Sequence, residues 1–348
     1  MALPLQHRPR LANRFSPRRR CAWAAASPEP VRTVPRSALA LRILLTGSSG
    51  FVGRHLKAAL AADGHDIVVL RRGGPGGDGV FAAPANLADI ETTPDWPRGI
   101  DAVAHLAAAN PGRGTADAAD LAALAAVNRD GTAALARRAA QEGVRRMVFV
   151  STANVHAAFP DPVDEASPIA PQSAYARSKH EGERAFWQGL SGSATTGCVL
   201  RPVPVFGPGG RGGIAALAKL ARMPAPLPLG GLAAPRSLVA VDDLVQAIVL
   251  ALTAEQAAGE IFLVAGDPPL STAAIVTALR HGLGRPPRLI QVPPALLRKL
   301  AGLAGREAMV ATLDTPFVVD AGHLRHTLGW APARPTPDAL AAMTAEAR

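Results

Sequence analysis

Tyr175 and Lys179, in Tyr175-Ala-Arg-Ser-Lys179, stand four residues apart, which places a phenol and an amine on one face of a helix. Tyr175 is the only tyrosine among 348 residues, and Lys179 is one of four lysines beside 33 arginines. An ammonium next to a phenol favours the phenolate and is expected to draw its pKa down from about 10, which makes Tyr175 a candidate acid/base. Such pairs are common on helix surfaces, so their weight comes from two companions. The apolar run Met147–Ser151 ends in Ser151 and Thr152, whose hydroxyls can hold a reacting oxygen at a strand's carboxyl end. Upstream, Arg42–Thr46 leads into Gly47-Ser-Ser-Gly50-Phe-Val-Gly53 and then a helical pattern, the setting in which three glycines cradle a dinucleotide pyrophosphate at a helix N-terminus. Ser49, Phe51 and Val52 are then cofactor contacts with Gly47, Gly50 and Gly53.

The elements that must position these groups alternate. Strands are predicted at Arg42–Thr46, Asp66–Leu70, Asp101–Ala107, Met147–Ser151 and Thr196–Leu200, and helices at Phe51–Asp63, Ala116–Glu142 and Ser173–Gln188. Strands without a polar face belong to a parallel sheet covered on both sides, hence an α/β, doubly wound, Rossmann-type fold. Residues 41–202, with 237–264, form the dinucleotide-binding part. Residues 203–236 and 265–348 form a smaller, interleaved substrate lobe, with Gly- and Pro-rich turns at Gly207–Gly213 and Met223–Pro235 and helices near Ser271–Gly282 and near Pro293–Leu303, while a helix from Asp242 and a strand at Glu260–Val264 fall in the dinucleotide-binding part. The second strand ends at Arg71 and Arg72 where NAD-binding chains carry an acid, and arginine there suits a 2′-phosphate, so the cofactor is NADP or NAD. Asn86 and Leu87 are expected near the adenine, and Ala107–Ala109 beneath the cofactor.

The formal charge of +10 would ordinarily direct attention to nucleic acid or an anionic membrane. Eight arginines against one acid put seven of those charges in residues 1–40, a Pro-rich stretch without hydrophobic period that is expected to be disordered. It reads as a targeting leader, a nucleic-acid-binding arm, or sequence translated from a start codon set too early. From Leu41 on the chain is nearly neutral, so neither nucleic acid nor membrane is expected as a partner. Two cysteines, Cys21 and Cys198, cannot form a disulfide framework or a four-ligand zinc site, which points to a reducing, cytoplasmic setting and no metal. No apolar run approaches the roughly 18 to 20 residues that span a bilayer.

The chain resembles the extended short-chain dehydrogenase/reductases of the nucleotide-sugar epimerase/dehydratase group. The resemblance rests on Thr46-Gly-Ser-Ser-Gly-Phe-Val-Gly53, His105-Leu-Ala-Ala108, Val127-Asn-Arg-Asp-Gly131, Val150-Ser-Thr152, Tyr175 with Lys179, Arg201-Pro202, Phe206-Gly-Pro208, Arg236-Ser-Leu-Val-Ala-Val-Asp-Asp243 and Leu328-Gly-Trp330. It implies a Thr152–Tyr175–Lys179 triad, and cofactor contacts at Leu106, Ala107, Ala108, Asn128, Tyr175, Lys179, Arg201 and Pro202. It also implies substrate contacts at Thr152, Asn154 and Arg236, the last gripping a nucleotide diphosphate, with Arg211 and Asp314 as further candidates. Leu227-Pro-Leu-Gly-Gly231 looks most like bacterial UDP-glucose 4-epimerases and UDP-sugar 4-ketoreductases of surface-polysaccharide synthesis. Ala153 and Asn154 stand where 4,6-dehydratases carry an Asp-Glu pair, which argues against water elimination.

The expected activity is NAD(P)-dependent oxidoreduction at C4 of a UDP-hexose, by a homodimer built through Asp120–Glu142 and Ser173–Gln188. Reduction of a dihydroflavonol- or steroid-like ketone shares the triad, but Arg236 and the Gly207–Gly213 loop count against an apolar substrate. A non-catalytic NADP-binding regulator would predict a decayed triad, and all three members are present.

Overall fold

Ile43 and Leu45 of the first strand enter one core cluster and Leu44 another, the alternation expected of a strand with helices on both faces. The computed structural model describes residues 40–73, 75–110, 120–159, 161–303, 305 and 307–346. Within them β1 (Arg42–Thr46), α1 (Phe51–Ala62), β2 (Asp66–Arg72), β3 (Val80–Ala83) and β4 (Ala102–His105) come first. They are followed by α2 (Leu121–Ala125), α3 (Gly131–Gln141), β5 (Arg146–Val150), α4 (Ala174–Leu190), β6 (Thr196–Pro202), β7 (Val205–Phe206) and α5 (Gly213–Ala221). The last third contains β8 (Val239–Ala240), α6 (Val241–Thr253), β9 (Ile261–Val264), α7 (Thr272–Gly282), α8 (Pro294–Leu303), α9 (Glu307–Leu313), α10 (Gly322–Leu328) and α11 (Thr336–Ala345).

Seven strands form one parallel sheet in the order β3-β2-β1-β4-β5-β6-β9. The order reverses between β1 and β4, so a crevice opens beyond their carboxyl ends, where ligands of such sheets bind. Helices α1, α6 and α10 cover one face through Leu56, Leu60, Ile248, Ala251 and Leu324. On the other face α3 and α4 bring Leu135, Ala139 and Phe186 against Met147 and Phe149. A third cluster gathers Phe206, Leu217, Leu227, Leu238, Leu279 and Leu340 from segments after β6. Phe317, Val319, Ala321 and Trp330, by contrast, pack with the sheet, so the C-terminal stretch divides between the two regions.

Four features differ from the expected elements. The edge strand β3 is four residues long and enters the core through Phe81 and Ala83, too short a run to stand out among glycines. The anticipated helix Ala116–Glu142 has its first four residues outside the described ones; after them Asp120 caps α2 by accepting from Ala123 N–H at 2.9 Å. A π-helical turn, Ala126–Asp130, then interrupts it before α3. Helix α5 starts at Gly213 and fills the stretch between the two expected turns, for which no element was expected, and β2 continues to Arg72 by pairing Arg71 and Arg72 with Ala82 and Ala83.

Candidate active site

The glycine loop fits a dinucleotide by its contacts. A Cβ on Gly53 would lie 2.1 Å from the Gly47 carbonyl oxygen, so only glycine lets α1 begin against the turn. Gly47 itself has φ +72°, and a Cβ there would meet the Ala107 nitrogen at 2.7 Å. Helix α1 starts after Gly50 with no side chain capping it, leaving its amide end to an anion. Ser49 is exposed and its carbonyl accepts from Arg54 at 3.1 Å; Phe51 and Val52 are half-buried beside it. Arg71 and Arg72 are exposed at the carboxyl end of β2, and Asn86 is exposed while its side chain accepts from Ala88 N–H. Leu87, also expected near the adenine, is 2% exposed and its side chain belongs to the core, which leaves its backbone for such a contact.

Two polar networks hold the strand ends. Thr46 Oγ1 accepts from the amides of Leu106 and Ala107 at 3.1 and 3.0 Å, so its proton points to His105 Nδ1 at 2.7 Å. Thr132 gives its proton to the Asn128 carbonyl, so His105 Nε2–H donates to Thr132 Oγ1 at 3.0 Å. The imidazole is therefore neutral with its proton on Nε2, and burial, helped by the Lys179 charge, holds it down at about 3. This chain fixes Leu106 and Ala107, the segment expected beneath the cofactor.

Asn128, expected as a cofactor contact, has another role. Its amide donates to the Ala109 carbonyl at 3.0 Å and to Ser178 Oγ at 2.9 Å, and its oxygen accepts from Ala109 N–H at 2.7 Å. Ser178 in turn donates to the Tyr175 carbonyl. With both donors committed, Asn128 joins the post-β4 segment to α4 instead of reaching a ligand, and the π turn aims it there.

Helix α4, capped by Ser173, carries Tyr175, Lys179 and Glu183 at four-residue intervals on one face. Lys179 is 1% exposed, with Nζ 4.0 Å from the centre of the Phe149 ring. Burial pulls its ammonium down to about 7 against the field of Glu183. Tyr175 is half-buried as a residue, but its hydroxyl end is desolvated and the phenol rises to about 12. The expected lowering by Lys179 is thus corrected: burial penalises both charged forms and outweighs the ammonium. Thr152, 6% exposed at the end of β5, accepts from Asn154 N–H at 3.2 Å, and α4 packs against this turn.

Beneath Thr152 lies a group that the sequence did not single out. Ser151 donates to Glu183 Oε1, and Arg201 donates to both Glu183 oxygens at 3.0 and 2.6 Å. Arg201 also donates to His156 Nε2 at 3.0 Å, while His156 Nδ1–H donates to the Pro168 carbonyl at 3.2 Å. Hydrogen bonds from Arg201 and Ser151, with His180 Nδ1 3.7 Å from the carboxylate, keep the Glu183 carboxyl at about 2 despite its desolvation. Arg201 therefore does not turn its side chain to the nicotinamide side as expected; the guanidinium faces inward, and Pro202 is buried beside β9. The four-residue step beyond Lys179 was the available signal for Glu183.

Among the proposed substrate residues, Arg236 is half-buried and donates to the Thr312 carbonyl, two residues from half-buried Asp314, so these two segments meet. Arg211 is exposed on the Gly207–Gly212 loop, whose Gly210 approaches the Phe51 ring, and lines a cavity of about 260 Å³ with Lys219 and Arg222. Among the described residues no group of three or more His, Cys, Asp or Glu could hold a metal ion.

The family model "NAD dependent epimerase/dehydratase family" matches residues 43–265. A UDP-glucose 4-epimerase of Vibrio cholerae is 32% identical over 310 residues, 86% of this chain and 92% of that protein. A 3-diazoavenalumate denitrifying reductase of a Streptomyces species is also 32% identical, over 85% of this chain and 97% of its own. The solved structure of MoeE5 in complex with UDP-glucose and NAD superposes with a TM-score of 0.68 at 22% identity, covering 88% of this chain and 97% of that one.

Proposed function

The chain belongs to the NAD-dependent epimerase/dehydratase family of enzymes, and we propose that it interconverts alcohol and ketone at C4 of a UDP-hexose, as a 4-epimerase or a 4-ketoreductase. The observation that carries this reading is α4, whose Tyr175–Lys179 face packs against the Thr152 turn at the same sheet edge as the uncapped N-terminus of α1.

Gly47, Gly50, Gly53 and the first turn of α1 would hold the pyrophosphate of NAD or NADP, with Arg71 and Arg72 at the adenine ribose. The bound dinucleotide supplies hydride exchange at the sugar carbon. Thr152 hydrogen-bonds O4, Tyr175 exchanges the O4 proton, and Lys179 reaches the cofactor ribose. Arg236 grips the diphosphate, with Asn154, Arg211 and Asp314 as further contacts. At neutral pH a phenol near 12 is protonated, the state that gives a proton to a forming alkoxide. That state, with Arg71 and Arg72, favours the reductive outcome. The setting we assign is the cytoplasmic synthesis of surface-polysaccharide sugars by a homodimer.

The similarity to the 3-diazoavenalumate denitrifying reductase supports a second reading, reduction of a substrate without a nucleotide. Incubation with UDP-glucose, UDP-N-acetylglucosamine and a UDP-4-keto-6-deoxyhexosamine, with and without NADPH, separates these by product analysis. Turnover of a UDP-sugar is expected, and Tyr175→Phe should abolish it. Full activity in that variant, or no turnover of any of the three UDP-sugars, would sink the reading.

A further inference from the structure

Helix α8 is amphipathic with both faces apolar in part. Leu297 and Ala301 pack against the third core cluster, whereas Leu296, Leu300 and Leu303 are 48%, 53% and 86% exposed. Those three are spaced four and three residues apart, so they form one stripe along the helix. Ile290, 51% exposed, lies just before it. Single exposed leucines are ordinary, but a stripe on one short helix marks a contact surface.

The charge around the stripe narrows what it can contact. Residues 203–241 contain Arg211, Lys219, Arg222 and Arg236 and no Asp or Glu. Residues 268–306 contain Arg280, Arg285, Arg288, Arg298, Lys299 and Arg306, again without an acid. The two segments run side by side: Leu227 pairs with Leu289, and Leu227 and Ile290 exchange backbone hydrogen bonds. Arg298 and Lys299, both exposed, sit on α8 itself. The exposed members of these segments include Lys219, Arg222, Arg285, Arg288, Arg298 and Lys299, against the Glu307 carboxylate beside Gly302, so a second copy meeting this face would bring two predominantly cationic surfaces together, and nucleic acid would satisfy the charges while leaving the leucines in water.

We propose that α8 is a peripheral membrane-docking helix that lies in the interface of a bilayer containing anionic phospholipid. Leu296, Leu300 and Leu303 enter the acyl boundary, and Arg298 and Lys299 stay at headgroup level with the basic surface behind them. Among the described residues no helix is long and apolar enough to cross a membrane, and a surface helix needs neither property. This contact departs from the expectation that no membrane is a partner, and it is independent of the reaction assigned above.

The test is vesicle co-sedimentation of the full chain, comparing phosphatidylcholine alone with a two-to-one mixture of phosphatidylcholine and phosphatidylglycerol. Binding to the mixture only is expected, weakening with added salt. Leu300→Ser with Leu303→Ser, and separately Arg298→Glu with Lys299→Glu, should each lower that binding by about tenfold at an unchanged melting temperature. No binding to the anionic vesicles overturns the proposal. Wild-type binding in both variants also overturns it and assigns the lipid contact to the arginines of residues 1–40. A change of mass in light scattering on replacing the leucines, without a change in lipid binding, assigns the stripe to a second copy instead.

Discussion

Replacing Glu183 by Gln removes one charge from a pair in which both side chains are almost fully buried, 3% and 5% exposed. Arg201 then keeps its neutral His156 partner and loses its anion. Two routes give the magnitude. The gap between about 2 and the carboxyl's ordinary 4.5, at about 1.4 kcal/mol per pH unit, amounts to about 3 kcal/mol. Breaking one side of a buried ion pair costs about 3 to 5 kcal/mol, mostly by stranding the other charge. At about 2 °C per kcal/mol for a chain of this size, the melting temperature should fall by about 6 °C. Because the folded-state pKa is depressed, this contribution is complete above about pH 4.5 and disappears as the pH falls toward 2. The gap between wild type and Glu183→Gln should close over that window in thermal or urea melts. Adding Arg201→Met should recover part of the loss, since it removes the stranded charge while leaving a buried amide. A melting temperature within about 1 °C of wild type at pH 7, or no recovery in the double variant, would refute the reasoning. Ser151 precedes Thr152 and donates to Glu183, so the variant should lower kcat more than it raises KM.

Gly53→Ala should abolish cofactor binding, read by titration of NAD(P)H fluorescence, because the added carbon falls 2.1 Å from the Gly47 oxygen and must push α1 from the turn. Lys179→Met should remove activity yet stabilise the fold at pH 6. Its buried ammonium, lowered to about 7, costs about 5 kcal/mol when charged, against about 2 kcal/mol returned by the Phe149 ring. That net gain of about 3 kcal/mol should fade as pH rises from 7 to about 10.5. Arg71→Ser with Arg72→Ser should raise KM for NADPH about tenfold and leave that for NADH nearly unchanged, as the 2′-phosphate loses its cations.

The legible parts of the chain were those in which one residue type has one physical use. Glycines at 47, 50 and 53 between a strand and a helix, and β-branched runs with no polar face, led directly to the doubly wound sheet. Tyr175, Lys179 and Thr152 followed from spacing. What remained hidden depends on tertiary pairing. Nothing local marks Glu183 as the partner of Arg201, because the strand that delivers Arg201 is far from α4 in sequence. Asn128 was recognised by its motif, but its use depends on the π turn, which arises only when the helix packs against α4. The tuning of Tyr175 failed for a related reason: spacing shows that an ammonium is near, but burial decides whether either group keeps its charge.

Net charge is legible in a different manner, because an average is blind to segregation along the sequence. With residues 1–40 set aside, +3 over the remaining chain reads as near neutrality. Those residues nevertheless divide into the segments 203–241 and 268–306, with ten Lys and Arg and no acid, and a remainder with 19 basic and 26 acidic side chains. The first carries +10 and the second −7. Opposite charges separated by more than about 8 to 10 Å are screened from one another at ordinary salt, so each surface acts on what approaches it almost as if the other were absent. A small anion such as a nucleotide diphosphate and a large one such as a lipid surface would both be drawn to these two segments. What would distinguish them is the rest of each surface: Arg236 is half-buried and held to the Thr312 carbonyl, which suits a small ligand, whereas the exposed leucines of α8 suit something broad and apolar.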